Sequence, residues 1–140
     1  MGFRVSDYLF SYGTLLPEHA PAEISAAVSK LRPLGKGTVS GVLYDLGDYP
    51  GAVLNSSSDK KIFGTVFRLP DDATVLNELD RYEGFRPSAP SASLFLRKRH
   101  PVRLSSGRIL NCWIYEYNGK RTAAPVVPNG RYRAKHAATR

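Results

Sequence analysis

The run Ile109-Leu110-Asn111-Cys112-Trp113-Ile114-Tyr115-Glu116-Tyr117 constrains the fold more than any other stretch of the chain. Read as a strand, it places Ile109, Trp113 and Tyr115 on one face and Leu110, Cys112 and Ile114 on the other. Side chains alternate across a strand, so both of its faces are apolar and both must be covered. Two arrangements achieve that: a sheet covered by helices, or a sheet closed into a barrel. The turn Ser105-Ser106-Gly107 joins this run to Leu94–Leu104, which predicts a hairpin.

The rest of the chain supplies more strands and two short helices. Tyr8-Leu9-Phe10-Ser11-Tyr12 reads as a strand ending in a tight turn at Gly13. Thr38–Leu46 reads as a strand stopped by Gly47-Asp48-Tyr49-Pro50-Gly51, after which Ala52-Val53-Leu54 resumes briefly. Ile62–Leu69 is rich in β-branched and aromatic residues, as strands are. Ala22–Leu31 suits a short, weakly amphipathic helix. A second helix opens at Pro70-Asp71-Asp72, where an aspartate can cap the first turn and complement the helix dipole. Its residues Val75, Leu76, Leu79 and Tyr82 recur at helical spacing, and Gly84 ends it. The expected fold class is therefore α+β: a small mixed or antiparallel β-barrel with flanking short helices.

Composition narrows the function classes. A chain of 140 residues suits one domain, spanning 1–140 with its core at about 7–133. The basic tail after Gly130 is expected to fray. A single cysteine, Cys112, excludes an internal disulfide, and with His19, His100 and His136 scattered, a zinc site has no ligand spacing to build on. Cys112 itself, flanked by apolar residues, reads as a core residue and not a nucleophile. No run of 18 apolar residues occurs, and the N-terminal apolar stretch is too short for a signal peptide. These features describe a soluble protein of a reducing compartment, cytoplasmic and without a membrane partner.

Charge is unevenly placed. The net charge is +8, yet up to Phe85 there are 8 basic and 11 acidic residues, and from Arg86 onward 12 basic residues and one acid, Glu116. Such asymmetry fits a nucleic-acid face, an anionic partner or a solvated basic edge, and does not choose among them.

Two features carry possible chemistry. Tyr12-Gly13-Thr14-Leu15 sets a glycine and a hydroxyl at a strand end, where successive backbone N–H groups can cradle an oxyanion or carboxylate; the same residues also make an ordinary turn. In the second helix, Leu76, Leu79 and Glu83 fall on one face, the core side. A carboxylate directed there must be paired, protonated or used, and desolvation suits it to acid/base work near neutrality. The alternative is a helix that frays at Gly84, leaving Glu83 to solvent or to Arg81 or Arg86. Asp80 reads as a structural acid.

Taken together, Tyr8–Leu15, Gly41–Gly47, Tyr49-Pro50-Gly51, Gly64-Thr65-Val66-Phe67 and Leu79–Gly84 occur in an order that resembles the gamma-glutamylcyclotransferase-like family, especially its short gamma-glutamylamine cyclotransferase branch. The resemblance continues through Phe95-Leu96-Arg97, Trp113–Tyr117 and Gly130–Arg133, and so covers nearly the whole chain. It implies a small mixed barrel in which Glu83 is the acid/base and Tyr12, Gly13, Thr14 and Leu15 hold the γ-glutamyl group. Gly51 lies near the same pocket, and Arg97 lies on the leaving-group side. The implied reaction is intramolecular attack of the substrate's α-amine on its γ-carbonyl, giving 5-oxoproline and a free amine, with no metal or cofactor. Where the family often has Tyr-x-Arg after the catalytic helix, this chain has Phe95-Leu96-Arg97.

Three functions follow from these readings. The first is a cyclotransferase acting on a small γ-glutamyl substrate, with no specific nucleic-acid partner. The second is a catalytically silent small-ligand-binding domain on the same scaffold. The third is a nucleic-acid-binding barrel using Phe95, Trp113, Tyr115 and Tyr117 as stacking platforms. The apolar setting of those aromatics favours a core role over a binding one.

Overall fold

The computed structural model describes residues 7–13, 20–119 and 124–132. Six strands form one sheet: β1 (Tyr8–Ser11), β2 (Arg32–Asp45), β3 (Pro50–Leu54), β4 (Lys61–Arg68), β5 (Phe95–Leu104) and β6 (Ile109–Tyr117). Two α-helices accompany them, α1 (Ala22–Val28) and α2 (Ala73–Glu83). The pairings β1–β4, β4–β2, β2–β5 and β5–β6 are antiparallel, and a parallel β1–β6 contact at Leu9 and Trp113 closes the ring. The expected mixed barrel is what forms.

β3 is the strand outside this ring. It pairs antiparallel with the last five residues of β2 and meets β6 in parallel, Ala52 opposite Glu116. It thereby fills the gap that opens where β2 leaves β5.

Both faces of β6 are used, as its composition requires. Cys112 and Ile114 join Phe10, Val39, Leu43, Ala52, Ile62, Val66 and Val102 in one buried cluster enclosed by the strands. Tyr115, with Trp113 and Tyr117 beside it, turns to a second cluster that includes Leu9, Phe67, Phe95, Ile24, Val28, Val75 and Leu79. α1 and α2 thus cover one flank of the barrel. Only the first residues of β6 escape this double burial, Ile109 being 56% exposed beside the hairpin tip.

Other boundaries differ from the sequence reading for local reasons. β2 begins at Arg32, six residues before Thr38, although Pro33, Gly35 and Gly37 are poor strand formers. Pairing with β4 holds that segment extended, and a register irregularity between Pro33 and Gly35 accommodates the proline. α1 stops at Val28 and not at Leu31.

α2 follows its expected limits. The Asp72 carboxylate accepts from the Thr74 N–H at 3.0 Å, capping the first turn. Gly84 ends the helix with φ of 71°, the left-handed region that glycine occupies without a Cβ penalty.

The basic tail is partly docked. Gly130 is buried and the Arg131 guanidinium lies 3.8 Å from the centroid of the Phe63 ring, so fraying does not begin at Gly130. Residues 133–140 lie outside the described residues. Among the described residues, no helix is long and apolar enough to cross a membrane, and no group of three or more His, Cys, Asp or Glu side chains could hold a metal ion.

Candidate active site

The last turn of α2 brings two carboxylates inward. Asp80 and Glu83 are three residues apart, hence neighbours on one helix face, and each is 5% exposed. The alternative in which Glu83 swings into solvent is therefore not what the fold adopts. The left-handed turn at Gly84 explains why. Phe85 N–H bonds back to the Asp80 carbonyl at 2.9 Å, and Leu94 N–H to the Gly84 carbonyl at 3.0 Å, so the helix end is pinned beside the start of β5.

Asp80 is fully engaged. Arg97 donates to it twice, Nε to Oδ1 at 2.7 Å and Nη2 to Oδ2 at 3.1 Å, and the Tyr115 phenol donates to Oδ1 at 2.6 Å. These bonds fit the reading of Asp80 as a structural acid and give Arg97 a partner within the fold. The Arg97 guanidinium is a partner of Asp80, stacked over the Trp113 ring at 4.3 Å and 5.5 Å from the Phe85 centroid. Burial holds the Tyr115 phenol protonated well above the usual phenol range. The hydrogen bond to Asp80 and the negative charges of Asp80 and Glu83 reinforce that shift, and the Arg97 charge opposes it.

The Tyr12–Gly13 turn sits at the end of the barrel formed by the C-terminal ends of β1 and β6 and the start of β3. The Tyr12 hydroxyl donates to the Tyr115 carbonyl and accepts from the Ala52 N–H at 3.2 Å, tying β1 to both neighbours. Backbones crowd here. A Cβ on Gly13 would lie 2.9 Å from Pro50 Cγ, and one on Gly51 would lie 2.7 Å from Leu46 Cδ1 and 2.9 Å from Tyr117 Cβ. Thr14 and Leu15 lie outside the described residues.

Glu83 connects to this end through short links. Leu94, bonded to Gly84, is also bonded by the Asn118 N–H at 3.0 Å, and Phe95 opposes Tyr117, which packs on Gly51. Tyr12 is bonded to Tyr115, Gly51 packs on Tyr117, and the Glu83 charge acts on the Tyr115 phenol, so each of the three borders the Tyr115–Tyr117 end of β6. Phe95 itself is 1% exposed, its ring 6.0 Å from Tyr49 and 5.5 Å from Tyr117. It is a core residue and does not form an exposed leaving-group wall.

Two contributors escaped the sequence reading. Tyr115 was read there as an apolar strand residue or a stacking platform, though a buried phenol usually finds a hydrogen-bond partner. Glu116, the lone acid of the basic half, accepts from the Leu54 N–H at 2.8 Å and pairs with Lys98 at 2.7 Å, locking β3 to β6 and β5.

A closed mixed barrel with two helices on one flank is the fold of gamma-glutamylcyclotransferase-like proteins. The family model described as "Gamma-glutamyl cyclotransferase, AIG2-like" matches residues 9–134, and the chain belongs to that family.

Solved structures share the fold at low identity. YkqA from Bacillus subtilis aligns with a TM-score of 0.67 and 20% identity over 91% of this chain, which spans only 40% of YkqA. An AIG2-like protein from Mus musculus aligns with a TM-score of 0.71 and 17% identity, covering 95% of this chain and 92% of its own. ytfP from Escherichia coli gives 0.62 and 25% identity, covering 89% and 95%. No curated protein matches the chain by sequence.

Proposed function

We propose that this protein is a cyclotransferase of the short gamma-glutamylamine cyclotransferase type, converting a γ-glutamyl amine or γ-glutamyl amino acid to 5-oxoproline and the free amine. The observation that supports it most is the burial of Glu83 on the core side of α2 while its neighbour Asp80 is held by Arg97 and Tyr115. Asp80 is committed to joining α2 to β5 through Arg97, and this reading gives the acid/base role to Glu83.

In this reading Glu83 takes a proton from the substrate's α-ammonium. The freed α-amine attacks the γ-carbonyl carbon, and the carbonyl π electrons move to oxygen. Backbone N–H groups of the turn that begins at Tyr12-Gly13 stabilise that oxyanion. As the tetrahedral centre collapses and the carbonyl re-forms, the bond to the leaving nitrogen breaks and Glu83 returns the first proton to it; the second proton of the attacking nitrogen then passes through Glu83 to the departing amine, which leaves as an ammonium. The products are 5-oxoproline and the amine, with no water consumed and no cofactor drawn upon. Nucleophile and electrophile are already tethered, so orientation supplies much of the rate. The γ-glutamyl half, carrying the α-amine and α-carboxylate, is the part that must be recognised strictly.

The test is incubation with a panel of γ-glutamyl amines and γ-glutamyl amino acids, assayed for 5-oxoproline, with Glu83→Gln as control. Turnover by the wild type and a loss of at least about 100-fold in the folded variant would support the proposal. Binding of these compounds without turnover would replace it with a silent binding domain, a reading to which Phe95, lacking a phenol, lends support.

A further inference from the structure

A second site lies at the opposite end of α2. A groove of about 460 Å³ opens between the turn after α1, the start of β2, the end of β4 and the first turns of α2. Its cationic side carries Lys30, Arg32 and Arg68, and its apolar side Leu69, Pro70 and Leu76. α2 has 11 residues, a length of about 16 Å, and separates this groove from Glu83.

Arg32 and Arg68 are direct Cα partners in the β2–β4 ladder, so their side chains leave the sheet side by side on one face. Like charges directly opposite on paired strands destabilise the pairing. Among the described residues, neither arginine forms an ion pair within 4.0 Å. Two of the acids lining the groove are engaged by other groups. Asp7 pairs with Arg99 at 2.8 Å, and Asp72, held by the Thr74 N–H and hydroxyl, also feels the charge of Lys30.

We propose that this groove binds a phosphorylated small molecule, its phosphate bridging Arg32 and Arg68 with Lys30 beside it and its organic part against Leu69 and Leu76. Two adjacent guanidinium forks present paired donors that match the oxygens of a phosphate group. A phosphate monoester near neutrality carries between one and two negative charges, enough to neutralise both arginines where a single carboxylate would not. Pro70 and the aliphatic side chains give an organic substituent an apolar surface, which free phosphate would leave unused. The proposal does not depend on catalysis at Glu83.

The experiment titrates the full chain with inorganic phosphate, phenyl phosphate and succinate at constant ionic strength, following Tm and amide chemical shifts. Saturable stabilisation by phosphate is expected, at lower concentration for phenyl phosphate, with succinate no better than chloride. The shifts should concentrate at Lys30, Arg32 and residues 68–77. In Arg32→Gln/Arg68→Gln, binding should weaken at least about tenfold, the loss of charge-assisted hydrogen bonds. Without phosphate the same variant should melt at or above the wild-type temperature, since like-charge repulsion is removed. No saturable effect, shifts scattered over the surface, an equal response to succinate, or an unchanged response in the double variant would each overturn the proposal. The chemical-shift map on the wild type decides the matter even if the variant folds poorly.

Discussion

Arg97 on β5 and Asp80 on α2 form a two-point salt bridge, 2.7 Å from Nε to Oδ1 and 3.1 Å from Nη2 to Oδ2, with side chains only 16% and 7% exposed. It joins the helix carrying Glu83 to the barrel wall. Removing one partner leaves a buried charge unpaired, so Arg97→Met or Asp80→Asn should each cost about 3–5 kcal/mol. Denaturant titration measures that loss. Arg97→Lys should recover only part of it, because an ammonium cannot reproduce the forked contact or the stacking on Trp113. A variant within about 0.5 kcal/mol of wild type, the range of an ordinary surface change, would show that the bridge is not structural.

Gly51 tests the crowding at the candidate site. The added methyl of Gly51→Ala would meet Leu46 and Tyr117 within 3 Å, in a region where β3, β2 and β6 converge. The expected destabilisation is about 1–3 kcal/mol, typical of overpacking. If the proposed activity holds, turnover should fall further than stability alone accounts for, since Tyr117 cannot yield without disturbing Phe95. Ala at exposed Gly107 would not serve as a control, because its φ is 94°; Ser106→Ala at the same hairpin tip does.

Cys112 should be chemically silent in the native state. It is fully buried, and burial pushes its thiol up from 9.0 to about 12, with the Arg99 charge opposing the rise only slightly. A disulfide reagent at pH 8 should label it only after unfolding. The same shift has a stability consequence. The folded state holds the proton more tightly than the unfolded chain, so the contribution is complete below pH 9 and is lost as pH rises towards 12. Stability of the wild type should therefore fall more steeply across that window than stability of Cys112→Ala. Parallel curves for the two would refute the linkage.

Nucleic-acid binding should be weak and indifferent to sequence. The three consecutive cations of β5 are each paired with an acid on a different segment: Arg97 with Asp80, Lys98 with Glu116 and Arg99 with Asp7. Phe95 and Tyr115 are buried and cannot stack on bases. Any association with single- or double-stranded DNA should vanish by about 0.2 M salt, as binding through a few phosphate contacts does. Affinity that survives that salt and discriminates sequences would reverse the assignment.

The amino-acid sequence by itself determined the features that rest on local pattern. Alternating apolar residues in Ile109–Tyr117 demanded cover on both faces, and the barrel and helices provide it. Asp72 and Gly84 bounded α2 because caps act within one turn of the helix, and helical spacing directed Glu83 inward for the same reason. The tertiary structure decided whatever depends on partners distant in the chain. Arg97 meets Asp80 across 17 residues and Tyr115 meets it across 35, and no spacing rule connects a strand residue to a helix carboxylate at those separations. The segment Arg32–Gly37 is extended only because β4 lies beside it, and that pairing register alone sets Arg32 opposite Arg68. Propensity and period act over a few residues, whereas register and charge pairing are set when the sheet closes.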